Sequence, residues 1–179
     1  MAHPDFEELL AEFNVGHVRY LIAGAHAVAL HARPRASKDL DLYIDPSVSN
    51  ATRAVKALAH FFGGLAPQDI TIEALLDPHS ILQLGVAPVR VDLLSHLATV
   101  TFRMAWSRRE TARFGSVQAN FLGLEDLIAE KQHWSRPQDL ADLVSLRRAL
   151  GAARGSARSS KRASRQVNAP LRKRSNRQS

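Results

Sequence analysis

Two aspartates two residues apart are the side chains of this sequence best suited to chemistry. Asp39 and Asp41 lie in the run DLDLYID, where Leu40, Leu42 and Ile44 alternate with them as in a β-strand. Because successive side chains on a strand point to opposite faces, we expect both carboxylates to emerge on one face. Two carboxylates held so close repel each other unless a cation lies between them. Mg²⁺ is a suitable cation, because it takes carboxylate oxygens and keeps positions open for phosphate.

A third carboxylate, Asp92, lies in the middle of an apolar strand. The segments Ile81 to Val86 and Val89 to Leu94 alternate as two strands of a hairpin that turns between them. A charge inside such a strand is costly unless it is paired or bound to metal. Asp92 is then either satisfied by an arginine, such as Arg90 or Arg35, or part of a metal site. If Asp92 does not lie beside them, Asp39 and Asp41 could equally well face the solvent on an edge strand.

A glycine corner comes directly before the aspartate pair. The segment VRYLIAG, Val18 to Gly24, has the composition of a buried strand and runs into the helix pattern AHAVALHA, which stops before Pro34. A strand that turns into a helix presents free backbone N–H groups, which can hold a phosphate. One glycine at such a turn is also compatible with a simple tight turn.

The remaining patterns predict an α+β fold. We expect a small mixed β-sheet with helices packed on it and a short C-terminal helical cap. We expect the chain to have three parts, which are a core over 1–122, a cap over 123–150 and a tail over 151–179. The further predicted elements are helices over Pro4–Phe13, Pro46 to about Phe62, part of Ala66–Pro78, Thr101–Arg109, Leu124–Trp134 and Pro137–Leu150, and a strand near Ser116–Leu122.

Charge is distributed unevenly along the chain. Of 24 Lys and Arg residues, nine follow Gly151, where no acidic residue occurs, so residues 1–150 hold 15 basic against 17 acidic residues. We expect a disordered basic tail, because it has too few large apolar residues to fold alone. It would serve either as a solubilising coil or as an arm that binds nucleic acid with strong salt dependence.

Composition also excludes several classes of protein. The 179 residues contain no cysteine, which excludes disulfides and thiolate chemistry. The histidines show no metal-ligand spacing, and the apolar runs are too short to span a bilayer. The first residues are acidic, unlike an export signal. We therefore expect a cytoplasmic protein without membrane contact.

The assembled motifs resemble a known superfamily. The runs LIAGAHAVAL, PRASKDLDLYID, VRVDLL, LEDLIAEK and RPQDLADL occur in this order between Val18 and Leu146. In that order they resemble the DNA polymerase β-like nucleotidyltransferases, in particular the small bacterial nucleotidyltransferase-like and antitoxin-type proteins. The resemblance implies the nucleotidyltransferase fold.

The resemblance also implies roles for the candidate residues. Asp39 and Asp41 become the metal-binding pair, and Asp92 becomes the third carboxylate, which also binds metal and with one ion helps to activate an attacking hydroxyl. Gly24 becomes the glycine whose backbone approaches the triphosphate. Ala25 follows it, where the pattern has glycine or serine, so a hydroxyl is missing at this position.

Further basic and polar residues match the pattern outside the carboxylates. Arg35, Ser37 and Lys38 match the polar run that contacts phosphate. Lys131 matches the C-terminal pattern together with Arg136 and Asp139. For this last group, a salt bridge that holds the helices on the core is an equal interpretation.

The activity implied is transfer of a nucleoside monophosphate from an NTP, with ATP expected, to a hydroxyl group. The acceptor would be a protein, an RNA end or a small molecule, two Mg²⁺ ions would assist, and pyrophosphate would leave. The alternative is a non-catalytic, antitoxin-like binding protein on the same fold, with the basic tail engaging nucleic acid.

Overall fold

The computed structural model describes residues 3–33, 37–86 and 89–167, which form seven helices and one six-stranded sheet. The helices are α1 Pro4–Val15, α2 Gly24–His31, α3 Val48–Phe61, α4 Ile72–Leu76, α5 Phe102–Ser107, α6 Leu124–Trp134 and α7 Pro137–Val167. The strands are β1 Tyr20–Ile22, β2 Asp39–Ile44, β3 Ile81–Val86, β4 Val89–Leu94, β5 Glu110–Phe114 and β6 Val117–Phe121.

The sheet is mixed and has the strand order β3-β4-β2-β1-β6-β5. Hairpins β3–β4 and β5–β6 form its two edges, and β1 pairs antiparallel with β2 and parallel with β6. β2 and β4 are parallel neighbours, although α3, α4 and β3 lie between them in the chain. The predicted fold class, a mixed sheet with helices packed on it, is confirmed.

The core lies around the two central strands. All three residues of β1 are buried, and the apolar residues of β2, Leu40, Leu42 and Ile44, are fully buried as their alternation predicts. Helix α1 buries the stripe Phe6, Leu9, Leu10 and Phe13. This packing fixes β2 in place and leaves its aspartate-bearing face for the site.

A buried asparagine joins the ends of β1 and β2 to α3. Asn50 is fully buried, its Oδ1 accepts a hydrogen bond from the Arg19 N–H at 2.8 Å, and its Nδ2 donates to the carbonyls of Arg19 at 3.0 Å and Asp45 at 3.1 Å. A buried amide that satisfies several backbone groups is costly to remove. Asn50 therefore helps to hold the strand that carries the aspartates.

One strand is missing from the sequence prediction. Residues 110–114, for which no strand was predicted between the helix over Thr101–Arg109 and the strand near Ser116–Leu122, form β5 at the sheet edge. Most of its side chains are exposed, so the strand lacks the apolar alternation that identifies half-buried strands. The glycine in the tight β5–β6 connection, Gly115 at φ +58°, was the available signal, since such hairpin turns require positive φ.

The last helix is longer than predicted. α7 was expected to end at Leu150 but continues to Val167, through a segment rich in alanine and arginine, which favour the helix. Residues 168–179 lie outside the described residues, so a disordered tail remains a prediction for them, as does the division of the chain into core, cap and tail. α7 has 31 residues, but no helix in the described part of the chain is apolar enough to cross a membrane.

Candidate active site

The register between β2 and β4 brings the three predicted carboxylates together. Asp41 lies directly opposite Asp92, and Asp39 lies opposite Arg90. Residues opposite each other in a sheet share a face, so all four side chains emerge on the side of β2 that the buried leucines leave free. The expected clustering of carboxylates from two neighbouring strands is therefore present.

The glycine corner lies against this cluster. The Ala23 N–H donates to the carbonyl of Asp41 at 2.9 Å, and Gly24 follows with φ +53°, a conformation that glycine adopts most readily. A Cβ atom placed on Gly24 would overlap Oδ2 of Asp41. Only glycine therefore allows the backbone to come so close to the carboxylate.

The start of α2 supplies backbone donors next to the cluster. The first intrahelical hydrogen bond runs from the Ala27 N–H to the Ala23 carbonyl at 3.2 Å, so the N–H groups of Gly24 and Ala25 precede the helix ladder. Ala25 is buried, with 4% of its surface exposed. The groups that an anion could contact at this corner are therefore backbone N–H groups and not side chains.

Arg90 forms ion pairs with two of the three carboxylates. Its Nη2 lies 2.8 Å from Oδ2 of Asp39, and its Nε lies 3.1 Å from Oδ1 of Asp92. Arg90 therefore offsets the charge of Asp92, but Asp92 Oδ1 and Arg90 Nε are buried without a hydrogen-bond partner among the described residues. Asp41 differs from the other two, because no described residue forms a hydrogen bond or salt bridge with its carboxylate.

Burial and mutual repulsion shift the titration of the cluster. The pKa of Asp41 is raised from 3.8 to about 6, first by burial and then by the charges of Asp92 and Asp39. Lys131 and Arg90 act in the opposite direction but more weakly. Burial also raises the pKa of Asp92, against the lowering effect of Arg90. The cluster is therefore short of positive charge.

Lys131 faces the cluster from α6. Its Nζ lies 2.7 Å from Oδ1 of Asp139 and 3.0 Å from Oδ2 of Asp142, both on α7, and only 12% of its side chain is exposed. These ion pairs agree with the alternative in which Lys131 forms a salt bridge between the C-terminal helices. Because Lys131 also lowers the pKa of Asp41, its charge reaches the carboxylates as well.

An aromatic side chain stands one helical turn beyond Lys131. The Trp134 indole N–H donates to Oε1 of Glu130 at 2.8 Å, and the Arg136 guanidinium lies 5.1 Å from the centre of the Trp134 ring. Glu130 is fixed in turn by the N–H groups of Ala98 and Thr99, both at 3.1 Å. Trp134 is nevertheless 53% exposed. It is a firmly held aromatic surface that remains accessible.

These groups surround one cavity of about 660 Å³. Its lining includes most of the predicted site residues: Gly24, Ala25, Ser37, Asp39, Asp41, Asp92 and Lys131. The Ser37 hydroxyl donates to the Asp39 carbonyl at 3.0 Å. Lys38 is exposed and is not part of the lining. Arg35 lies outside the described residues.

Solved structures with known folds resemble this chain along most of its length. The complex of ANT(2″)-Ia with adenylyl-2″-tobramycin superposes with a TM-score of 0.55 at 12% identity, covering 90% of this chain and 96% of that one. A Thermotoga maritima protein assigned as a nucleotidyltransferase gives 0.51 at 14% identity, covering 85% and 96%. The chain has the nucleotidyltransferase fold. No family model and no curated protein matches the sequence.

The nucleotidyltransferase fold implies divalent metal ions, and the donor set agrees in its chemistry. Carboxylate oxygens are the ligands that Mg²⁺ prefers. The described residues contain no group of three or more Asp, Glu or His side chains arranged to hold an ion. Arg90 holds Asp39 and Asp92, but the Asp41 carboxylate and Oδ1 of Asp39 lie outside its ion pairs. These oxygens match Mg²⁺ in their chemistry, although in the described part of the chain they do not form a preassembled site of three ligands.

Two residues of the candidate site were not among those predicted from the sequence: Arg90, which forms ion pairs with Asp39 and Asp92, and Trp134, which lines the cavity. Arg90 was considered only as a partner for Asp92, although its position two residues earlier on the same strand places both side chains on one face. Trp134 was named only as the last residue of the helix over Leu124–Trp134, although its spacing of three from Lys131 places it on the same side of α6. Both spacings were signals in the sequence.

Replacing Gly24 with alanine should destabilise the protein more than replacing Gly63 with alanine. Both glycines have positive φ, +53° and +78°, but only at Gly24 does a Cβ meet another group. Positive φ alone costs an alanine about 1–2 kcal/mol. In an Asp41→Ala background most of the difference should disappear in urea unfolding, because only the Cβ of residue 41, at 3.3 Å, remains close to the added Cβ. Equal costs in the wild-type background would contradict the close approach to Asp41.

Replacing Asp41 with asparagine should stabilise the metal-free protein at neutral and alkaline pH. Its pKa is raised to about 6 on folding, so above that pH the folded state carries the cost of an ionised, desolvated carboxylate. The gain should be about 2–3 kcal/mol at high pH and should shrink as the pH falls through about 6, where the wild-type carboxyl takes up a proton. Urea unfolding in EDTA measures it, with the exposed Asp69→Asn as control. A gain that does not depend on pH would contradict the assignment.

Proposed function

We propose that the chain transfers a nucleoside monophosphate from an NTP to a hydroxyl acceptor. The observation that carries this proposal is the juxtaposition of Asp39, Asp41 and Asp92 with the glycine corner at Gly24. A carboxylate cluster next to free backbone N–H groups provides both a cation position and an anion position. A nucleotide triphosphate with its metal needs both.

The structural comparison supports the same class of reaction. ANT(2″)-Ia was solved with an adenylyl group joined to tobramycin, and its fold matches 90% of the present chain. For this chain we propose nucleotidyl transfer with ATP as donor and a protein, an RNA end or a small molecule as acceptor. The cavity of about 660 Å³ has room for a nucleotide.

The chain's own groups can be assigned to the parts of the nucleotide. Asp39 and Asp41 would hold Mg²⁺, which when bound draws charge from the phosphate oxygens. The resemblance predicts two such ions. The backbone N–H groups of Gly24 and Ala25 and the ammonium of Lys131 would orient the triphosphate. Ser37 and Lys38, and Arg35 outside the described residues, remain predicted phosphate contacts.

The reaction then needs one proton transfer and one displacement. The acceptor oxygen bonds to the α-phosphorus as the bond to the leaving pyrophosphate breaks, and the hydroxyl proton passes to a carboxylate oxygen of Asp92. Burial raises the pKa of Asp92, which makes its carboxylate a better proton acceptor than an exposed one. Its side chain is only 13% exposed, so bulk water has limited access to it.

The base of the nucleotide would stack on Trp134. The indole lies one helical turn from Lys131 in the same cavity, and its N–H is already satisfied by Glu130. A preorganised aromatic ring binds a base at low entropic cost, because it does not have to be ordered on binding.

A binding role without catalysis is the second candidate. Arg90 neutralises part of the carboxylate cluster, and Ala25 lacks the hydroxyl or the freedom of the residue usual in the family pattern. Both features favour an antitoxin-like partner protein that uses the fold as a surface. The basic segment after Gly151 would then engage nucleic acid.

Nucleotide binding can be followed through Trp134 alone. The chain has two tryptophans, and the other, Trp106, stacks on Phe102 away from the cavity, so Trp106→Phe leaves one reporter. ATP should quench its fluorescence, whereas tripolyphosphate, which has no base, should not. Trp134→Leu should weaken ATP binding by about tenfold or more, since base stacking contributes about 1–3 kcal/mol. An equal loss of tripolyphosphate binding would contradict a base-stacking role.

Transfer itself is tested with Mg²⁺, α-labelled NTPs and candidate acceptors. We expect label on an acceptor, and Asp39→Ala or Asp41→Ala should reduce transfer at least about a hundredfold, a loss typical of removing a group that stabilises the transition state. Asp69→Ala, at an exposed position outside the cavity, should not. Transfer that survives both aspartate substitutions would refute the site. Absence of both transfer and Mg²⁺-dependent nucleotide binding would favour the binding role.

A further inference from the structure

The side chain of Gln83 lies next to the carboxylate that would accept the acceptor's proton. Gln83 is on β3 and pairs directly with Asp92 on β4 in the antiparallel register. Side chains opposite each other share a face, with Cβ atoms about 4.5–5.5 Å apart, so an amide at one position can reach a carboxylate at the other. Asp92 in turn lies opposite Asp41 on β2. One row across the sheet therefore runs from Gln83 through Asp92 to Asp41.

Arg90 pairs with Asp92 by charge but does not fix its orientation. The Nη2 of Arg90 donates to Asp39 at 2.8 Å, whereas it lies 3.4 Å from Oδ2 of Asp92, which is long for a hydrogen bond. The Nε of Arg90 lies 3.1 Å from Oδ1 of Asp92, yet neither atom has a hydrogen-bond partner among the described residues. The well-directed contact of Arg90 is thus the one with Asp39. The Asp92 carboxylate has capacity for another donor.

Gln83 has the chemistry of that donor. Its amide carries two N–H groups and no charge, so it can hold a carboxylate without giving up a proton to it. Burial raises the pKa of Asp92, whereas the charge of Arg90 and, to a smaller extent, donation from the Gln83 side chain lower it. The other residues of β3 on this face are Ile81 and Gly85, which have no polar side chain. Within β3, Gln83 alone can therefore contact Asp92 through a polar side chain.

We propose that the Gln83 amide positions Asp92 for the proton transfer. This inference rests on the proposed function, in which the acceptor's hydroxyl proton passes to an oxygen of Asp92. A carboxylate that rotates about its side-chain bonds presents a lone pair to the acceptor for only part of the time, and a donor on the neighbouring strand restricts that rotation. The amide keeps both of its protons throughout. Gln83 is not part of the cavity lining, so it is a positioning residue that acts through Asp92.

A double-mutant cycle tests the contact in the free protein. Gln83→Met removes both donors at nearly the same side-chain length, and we expect it to lower the midpoint of urea unfolding in EDTA. In an Asp92→Ala background the same substitution should leave the midpoint unchanged, because the partner is absent. Gln118→Met is the matched control, at an exposed strand position opposite Arg113, and it should shift the midpoint equally in both backgrounds.

Kinetics distinguish positioning from a merely structural role. The assay uses Mg²⁺, α-labelled ATP and the acceptor that becomes labelled in the transfer experiment. Gln83→Met should lower kcat about tenfold or more, a loss typical of removing an outer hydrogen-bond partner of a functional carboxylate. The KM for ATP, and ATP binding followed through Trp134 fluorescence, should match the wild type. Gln83→Glu should lower kcat further, because like charges directly opposite repel, and Gln118→Met should retain the wild-type kcat.

The outcomes separate this inference from the proposed function. An equal shift of the midpoint with and without Asp92, or an unchanged kcat in Gln83→Met, would overturn the role of Gln83 and leave nucleotidyl transfer standing. Absence of transfer in the wild type would overturn the proposed function and with it the catalytic role of Gln83, whereas coupling in the cycle would then stand as a structural contact. If Asp92→Ala does not fold, Asp92→Val provides the background, with the same results expected.

Discussion

The parallel register between β2 and β4 is the constraint on which the site depends. It places Asp41 beside Asp92 and Asp39 beside Arg90, and a shift by one residue would replace these side chains with buried leucines and valines. The buried faces of both strands oppose such a shift, because it would expose apolar surface to water. The same hydrophobic packing that stabilises the sheet therefore holds several negative charges together.

The protein reduces this repulsion by several partial means. Arg90 forms ion pairs with two carboxylates, and the charges of Lys131 and Arg90 lower the pKa of Asp41. Lys131 is itself held by a pair of aspartates on α7, so its position depends on how α7 packs. A carboxyl whose pKa is raised by burial and by neighbouring charges, like that of Asp41, is common at functional sites.

Local patterns predicted more of this molecule than non-local ones. The alternation around Asp39 and Asp41 and the apolar strand around Asp92 identified two strands and their polar face, because such periods involve only neighbouring residues. That these strands are adjacent and parallel cannot be derived from their periods, and only the structure shows it. The choice of Arg90 as bridging partner depends on that adjacency. The strand β5 was not predicted, because an exposed edge strand has little apolar alternation. The end of α7 was predicted too early, because the segment after Gly151 was judged by its lack of apolar residues and not by its high helix propensity.

The continuation of α7 to Val167 changes how the charge of the chain should be understood. The helix rises about 1.5 Å per residue, so Val167 lies about 20 Å along the axis from Arg154, which still contacts α6 through Glu125. At physiological ionic strength a charge is screened within about 8 Å. The charges of the acidic body and those of the basic end of the helix therefore hardly influence each other in solution. The sequence pI of about 10.5 describes neither of them, and an anion that approaches the cavity meets the local field of the body.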